Sequence, residues 1–188
     1  MEKDIKDIIG LHIPDITQHW ESYKGLFKKE RLPAKTILLA DGELAKKMFF
    51  ISDGGIRLYF NDLDKDVTIQ FFFEGTFVCS LESFLEEKPS RFNLETLEKG
   101  TYYSLHRDDY RNLIETLPAF KAHFELFIRG RMFHYMNLLL DHVRYSPEQR
   151  YRALVREHPE ILQRVPHYYI ASYLGITPVS FSRIRGRK

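Results

Sequence analysis

The stretch Val165-Pro166-His167-Tyr168-Tyr169-Ile170-Ala171-Ser172-Tyr173-Leu174-Gly175-Ile176-Thr177-Pro178-Val179-Ser180-Phe181-Ser182-Arg183-Ile184-Arg185 decides how the chain is read. Pro166 suits a first helical turn, where a missing N–H costs nothing. Ile170 and Leu174 fall on one helical face, and Ala171 is small enough to admit a second helix. Gly175 can take the left-handed conformation that ends a helix. Thr177 and Pro178 then restart one as N-cap and first helical residue. Phe181 and Ile184 continue the buried face, which turns Pro178, Val179, Ser182 and Arg183 outward. The pattern is a helix-turn-helix; the plainer reading is a helical hairpin that only closes a domain. Charge favours the first. From Arg144 onward there are nine Lys and Arg against three Asp and Glu, whereas the rest of the chain carries 19 against 23. A net charge of +2 therefore hides a basic tail on an acidic body, as a DNA-reading module on a sensor would produce.

Working back from this stretch, Ser146 and Pro147 cap and open a helix that reaches Glu157, before His158-Pro159 stops it. Ahead of it a long helix is expected from about Ala119 to Arg144. Its residues Phe120, Phe124, Phe127, Ile128, Met132, Tyr135, Met136, Leu139 and Val143 recur at spacings of three and four. So long an apolar stripe exceeds what a small neighbouring domain covers, and a second copy of the chain is the natural cover; packing within the chain is the alternative. Asp108 to about Thr116 reads as a short helix.

From Thr36 to Leu105 the texture is β-rich. Asp53-Gly54-Gly55 is a hairpin signal. After it Ile56, Leu58 and Phe60 alternate with Arg57, Tyr59 and Asn61, and Val67, Ile69, Phe71 and Phe73 alternate with Thr68, Gln70 and Phe72. Turns every 8–12 residues or so indicate an antiparallel barrel or jelly roll. Nearer the start, Asp15 to about Lys28 is expected to be helical, capped by Asp15, with Ile16, Trp20, Tyr23 and Phe27 on one stripe and Trp20 in the core. The fold class is α+β: an N-terminal β-roll sensor (1–117), a long dimerisation helix (118–145) and an all-α helix-turn-helix domain (146–188).

Composition sets the outer bounds. With 188 residues, 44% hydrophobic and 29% charged, the chain is an ordinary globular one. No run of about 18 apolar residues suggests a membrane span, and Met1-Glu2-Lys3-Asp4 lacks the start of a secretory signal, so no membrane partner and a cytoplasmic location are expected. The single cysteine, Cys79, excludes an internal disulfide and a multi-cysteine metal site within one chain.

β-roll, long helix and C-terminal helix-turn-helix, in that order, resemble the Crp–Fnr family of bacterial transcription regulators, from about Leu32 to Arg185. The most specific element is Ile170-Ala171-Ser172-Tyr173-Leu174-Gly175-Ile176-Thr177 leading to Ser182-Arg183-Ile184. The resemblance implies a homodimer through 118–145 that reads a partly palindromic operator in double-stranded DNA and works with RNA polymerase. It implies that Arg183 reads a base, for which paired hydrogen bonds to guanine are the natural form. Two further reading positions of the family fall on Pro178 and Val179, which offer no side-chain hydrogen bond, although Val179 can touch a thymine methyl. Thr177, Ser180, Ser182, Arg185 and Arg187 are candidates for phosphate. Where relatives carry a β-hairpin wing, only Gly186-Arg187-Lys188 follow here.

The relatives' cyclic-nucleotide cassette, Gly-Glu-Leu and then Arg-Ser/Thr-Ala, corresponds here to Cys79-Ser80-Leu81 and Arg91-Phe92-Asn93. Leu81 and Arg91 persist, but Ser80 replaces the ribose-binding carboxylate and the bulky Phe92 the hydroxyl side chain. Arg91 has a blander role open to it in an ion pair. No cofactor is expected, and cyclic AMP is not expected as the effector; an unknown small molecule stays open. Only His106 lies near the strands, which argues against a cupin-type metal site. His123, His134 and His142 on the long helix are better read as polar residues flanking a dimer seam than as haem or metal ligands. Cys79 and Ser80 lack His–acid partners, and no phosphate-binding Gly-rich loop is present, so no enzyme is expected. The competing reading is a ligand-binding or protein-interaction β-roll whose helical tail no longer reads DNA.

Overall fold

The computed structural model describes residues 4–63 and 65–186, without the side chains of His12 and Asp15, so the expected Asp15 cap and Arg187 lie outside the described residues. Among the described residues eight strands form two four-stranded sheets. One has the order β1 (Phe27–Leu32), β8 (Gly100–His106), β3 (Lys47–Asp53), β6 (Phe77–Val78). The other has the order β2 (Ile37–Leu39), β7 (Asn93–Thr96), β4 (Ile56–Asp62), β5 (Lys65–Phe72). This is the expected jelly roll, with apolar residues such as Met48, Ile51, Ile56, Leu94 and Leu105 at its centre.

Two expectations fail locally. The helix expected over 15–28 is broken into α2 (Pro14–Gln18), α3 (Trp20–Tyr23) and a 3-10 turn, and Phe27 already belongs to β1. The cause is β8, which offers β1 an unbroken antiparallel ladder from Phe27↔Leu105 to Leu32↔Gly100. Trp20 ends half-buried, stacked on Phe27 at 5.8 Å. A helix not expected, α1 (Ile5–His12), buries Ile5, Ile8 and Ile9, and its N-cap Asp4 accepts from the Lys6 amide at 2.7 Å.

The second failure is the turn at Asp53-Gly54-Gly55. It is not a hairpin, since β3 and β4 lie in different sheets, but a corner that passes the chain between them. Gly54 has φ +108°, and a Cβ there would sit 2.6 Å from the Tyr102 hydroxyl. Opposite it, a Cβ on Gly100 would meet Asp53 O at 2.2 Å, so neither site has room for a side chain. Tyr102 closes the corner, its hydroxyl 3.1 Å from Gly55 O and 3.0 Å from Glu98 O; burial pushes this phenol well above its ordinary range.

The chain divides into two compact units. The first comprises the residues up to Leu58 with Phe71–Phe127; the second comprises Tyr59–Gln70 and everything from Ile128. The boundary therefore falls within the long helix α6 (Pro118–Arg144), and the far end of the β4–β5 hairpin belongs with the C-terminal helices. In the first unit α4 (Leu81–Glu86), α5 (Arg107–Thr116) and the start of α6 meet through aromatic rings. Phe84 and Tyr110 lie 5.0 Å apart, Tyr110 and Phe124 4.8 Å, and Phe127 stacks on Phe77. Glu87, at the end of α4, is held by Arg111 and by Arg107 (3.0 Å), and the Arg111 hydrogen bond keeps its carboxyl below the usual range. The second unit continues with α7 (Pro147–Glu157), α8 (Pro159–Arg164), α9 (His167–Tyr173) and α10 (Pro178–Gly186). Ser146 opens α7 with a reciprocal capping box to Gln149, as its sequence implies.

Candidate nucleic-acid interface

The local chemistry of α9 and α10 follows from the sequence. Ile170, Ala171, Leu174 and Phe181 are buried together with Leu154, Ile161 and Val165, so the apolar face forms the core of the helical unit. Helix α9 ends in a Schellman arrangement: Gly175 has φ +67°, Ile176 N donates to Ala171 O at 3.0 Å and Gly175 N to Ser172 O at 2.9 Å. Thr177 caps α10, its hydroxyl accepting from Ser180 N at 3.2 Å, and Pro178 is the first helical residue. The turn is thus closed by backbone bonds at the end of α9 and by a side-chain cap at the start of α10. It sets the angle between the two helices.

Thr177, Pro178, Val179, Ser182 and Arg183 are exposed, along one side of α10, while Ser180 is half-buried. Arg185 is exposed too, but its Nη1 lies 2.9 Å from His167 Nε2 on α9, which ties the two helices near their ends. Among the described residues, five of the expected DNA-facing residues thus share one exposed side of α10.

Arg150, which sequence reasoning passed over, holds this unit in shape. From α7 its guanidinium donates to Tyr145 O (2.7 Å) and His142 O (3.3 Å) at the end of α6, and to Leu174 O (2.7 Å) at the end of α9. Three carbonyls at two helix ends are thereby satisfied by one charge, which also suits the negative ends of the helix dipoles. The only sequence cue was an arginine in the right helix. Arg150→Met is expected to lower the stability of the helical unit by about 1.5–3 kcal/mol, the range for hydrogen bonds to a charged group, read from its urea unfolding midpoint.

A groove of about 820 Å³ lies among α6, α7 and α9 and is lined by Arg144, Arg152, Arg156, His134 and His158, among others. Arg152 pairs with Glu148 (2.7 Å) and Arg156 with Glu157 (2.6 Å), and His158 Nδ1 lies 3.2 Å from Glu160 Oε1. Of the histidines on α6, His123 and His142 turn back onto their own helix, 2.8 Å from Ala119 O and 3.0 Å from Leu138 O. Burial, with Arg131 nearby, pushes the His134 imidazole below its ordinary range. No group of three or more His, Cys, Asp or Glu suited to a metal occurs among the described residues.

The opposite side of α6 is apolar and open. Met132, Met136, Leu139 and Val143 recur at spacings of four, three and four, with Leu139 66% and Val143 82% exposed. Phe133 flanks them, exposed, while Leu140, also exposed, lies at the rim of the groove. His134, Leu138, Asp141 and Tyr145 line the groove two residues out of phase, about half a turn round the helix. The same helix therefore uses one face within the chain and leaves the other bare.

The two cassette segments lie side by side and bond to each other. Ser80 is buried, 2.8 Å from the Ser90 hydroxyl, which is itself 2.7 Å from Phe92 O and accepts from Phe92 N at 3.0 Å. Leu81 opens α4, and Phe92 is half-buried. Arg91 is 76% exposed and pairs with Glu82 at 2.8 Å. Deeper in the roll lies a buried pair, Arg57 on β4 and Glu95 on β7, 3.1 Å apart, with side chains 3% and 8% exposed.

Residues 29–117 match the family described as cyclic nucleotide-binding domain. Among curated protein sequences none matches the chain. Solved structures with a similar fold include the c-di-GMP responsive global regulator CLP of Xanthomonas campestris, 16% identical, with TM-score 0.72 over 89% of this chain and 88% of that one. The catabolite activator protein of Thermus thermophilus is 20% identical, with TM-score 0.58 over 95% and 84%. A putative transcriptional regulator of the crp/fnr family from Eubacterium rectale is 14% identical, with TM-score 0.73 over 89% and 81%. Residues 29–117, which hold most of the two packed sheets, thus match the cyclic nucleotide-binding domain, and the chain as a whole shares its fold with solved structures that include a putative transcriptional regulator of the crp/fnr family.

Proposed function

We propose that the chain is a DNA-binding transcription regulator that acts as a homodimer and reads a partly palindromic operator with α10. The observation that carries this reading is the outer side of that helix. Thr177, Pro178, Val179, Ser182 and Arg183 stand in solvent on a basic unit, behind a turn closed at both ends. In that role Arg183 reads a base edge, Val179 contacts a thymine methyl, and Thr177, Ser180 and Ser182 bond phosphates. Arg187 is a further phosphate candidate. Arg185, braced against His167, contacts the backbone beside them.

The bare stripe of α6 is covered by the same stripe of a second copy. Its four-three spacing is that of a two-stranded coil, and a two-fold axis along it sets two recognition helices side by side. The partner in transcription is RNA polymerase, and the working compartment is the cytoplasm. No helix among the described residues is long and apolar enough to cross a membrane. An effector, where one acts, differs from a cyclic nucleotide, because Ser80 is spent on Ser90 and Arg91 on Glu82.

The test is selection of bound sequences from random duplex DNA at near-physiological salt, with the oligomeric mass measured in parallel. A two-fold symmetric motif and a dimer mass are the expected results. A monomer that enriches no motif sinks the proposal. On the selected duplex, Arg183→Ala is expected to cost about 1–3 kcal/mol and to relax preference at one position of each half-site. An equal loss on every sequence would reassign Arg183 to phosphate.

A further inference from the structure

Strand β5 is the edge of its sheet. An edge strand presents a row of unpaired N–H and C=O groups, which proteins commonly cover with another element. In the second unit a side chain of α9 bonds to this edge. The Ser172 hydroxyl donates to Asp66 O at 2.9 Å and accepts from Thr68 N at 2.9 Å. These two backbone groups point the same way along a strand and would otherwise serve a neighbouring strand. Ser172 therefore stands where a fifth strand would bond. The Thr68 side chain is buried, which keeps water from replacing the hydroxyl. The far end of the hairpin is held a second time, on its face, where Arg131 of α6 donates to the buried Gln70.

Ser172 precedes the Schellman turn by one helical turn or less, and its own carbonyl accepts the Gly175 N–H that forms that turn. A restraint on Ser172 is consequently a restraint on the helix that carries α10. We infer that Ser172 is a positioning residue for DNA reading: it clasps the helix-turn-helix to the β5 edge and fixes the direction in which α10 presents Arg183. The clasp leaves the reading side of α10 open, so it favours binding rather than blocking it. The inference rests on the DNA-reading function proposed above.

Two readouts test it on the full-length protein: hydrogen exchange of the Thr68 amide, and affinity for the duplex selected by the wild type. Ser172→Ala is expected to speed Thr68 exchange by about tenfold and to weaken DNA binding about 2- to 10-fold, the span of one or two ordinary hydrogen bonds, with the preferred bases unchanged. Ser172→Thr, which keeps the hydroxyl, is expected to restore both. Circular dichroism and the thermal midpoint check that each variant is folded. Unchanged Thr68 exchange in Ser172→Ala overturns the clasp. Faster exchange with equal or tighter DNA binding overturns its positioning role. A wild type that binds no duplex defeats the functional reading and the positioning role with it, while Thr68 exchange still tells whether the clasp exists.

Discussion

Glu95→Ala is expected to destabilise the β-roll by about 3–5 kcal/mol, the cost of breaking a buried ion pair from one side. Glu95 and Arg57 stand on neighbouring strands β7 and β4, and their 3.1 Å contact is almost wholly shielded from water. A guanidinium does not shed its proton, so Arg57 has no route to neutrality once the carboxylate is gone. It must stay charged in an apolar interior or drag its strand toward solvent. Removing both charges is a different experiment. Arg57→Met with Glu95→Leu is expected to be neutral or stabilising by about 1–4 kcal/mol, because desolvation of both ions is avoided. Urea unfolding of the wild type, the single variant and the double variant measures both numbers, and a single-variant loss below about 1 kcal/mol would mean that water reaches the pair.

Leu139→Asp is expected to produce monomers and to weaken binding to a two-fold operator by about 10²–10⁴-fold, since two linked half-site contacts become independent ones. Leu139 lies within the stripe Met132, Met136, Leu139, Val143 and is already 66% exposed in the single chain, so the charge costs the monomer little. In a dimer the same position meets its own copy, where two carboxylates repel and are desolvated together. Sedimentation and operator titration read the effect. A single half-site duplex should bind the variant and the wild type alike. Loss of half-site binding would instead show that the substitution disturbed α10.

The helix-turn-helix was legible because its signals are local. Gly175, Thr177 and Pro178 act within a few residues of themselves, and each sits as its chemistry demands: left-handed φ, N-cap, first helical residue. The jelly roll was legible from alternation and turn spacing, and the Ser146 cap from its own four residues. The stretch 15–28 was misread because Ile16, Trp20, Tyr23 and Phe27 recur at helical spacing, whereas the β8 ladder supplies hydrogen bonds that draw Phe27 into a strand. Alternation set Arg57 on the face opposite Ile56 and Leu58, yet both faces of β4 are covered at that level, and a partner 38 residues on makes the burial tolerable.

By itself, then, the sequence determined the elements whose causes lie within a turn of the chain: the two helices of 167–186 with the turn between them, the apolar stripe of α6 and the basic tail. Only the tertiary structure decided that Asp53-Gly54-Gly55 turns between sheets, that Arg57 meets Glu95 in the interior, that Arg150 ties three carbonyls, and that Ser172 caps the β5 edge. Each of these joins groups distant in sequence. A hydrogen-bonding or charged side chain has many possible partners, and only the packed backbone selects among them.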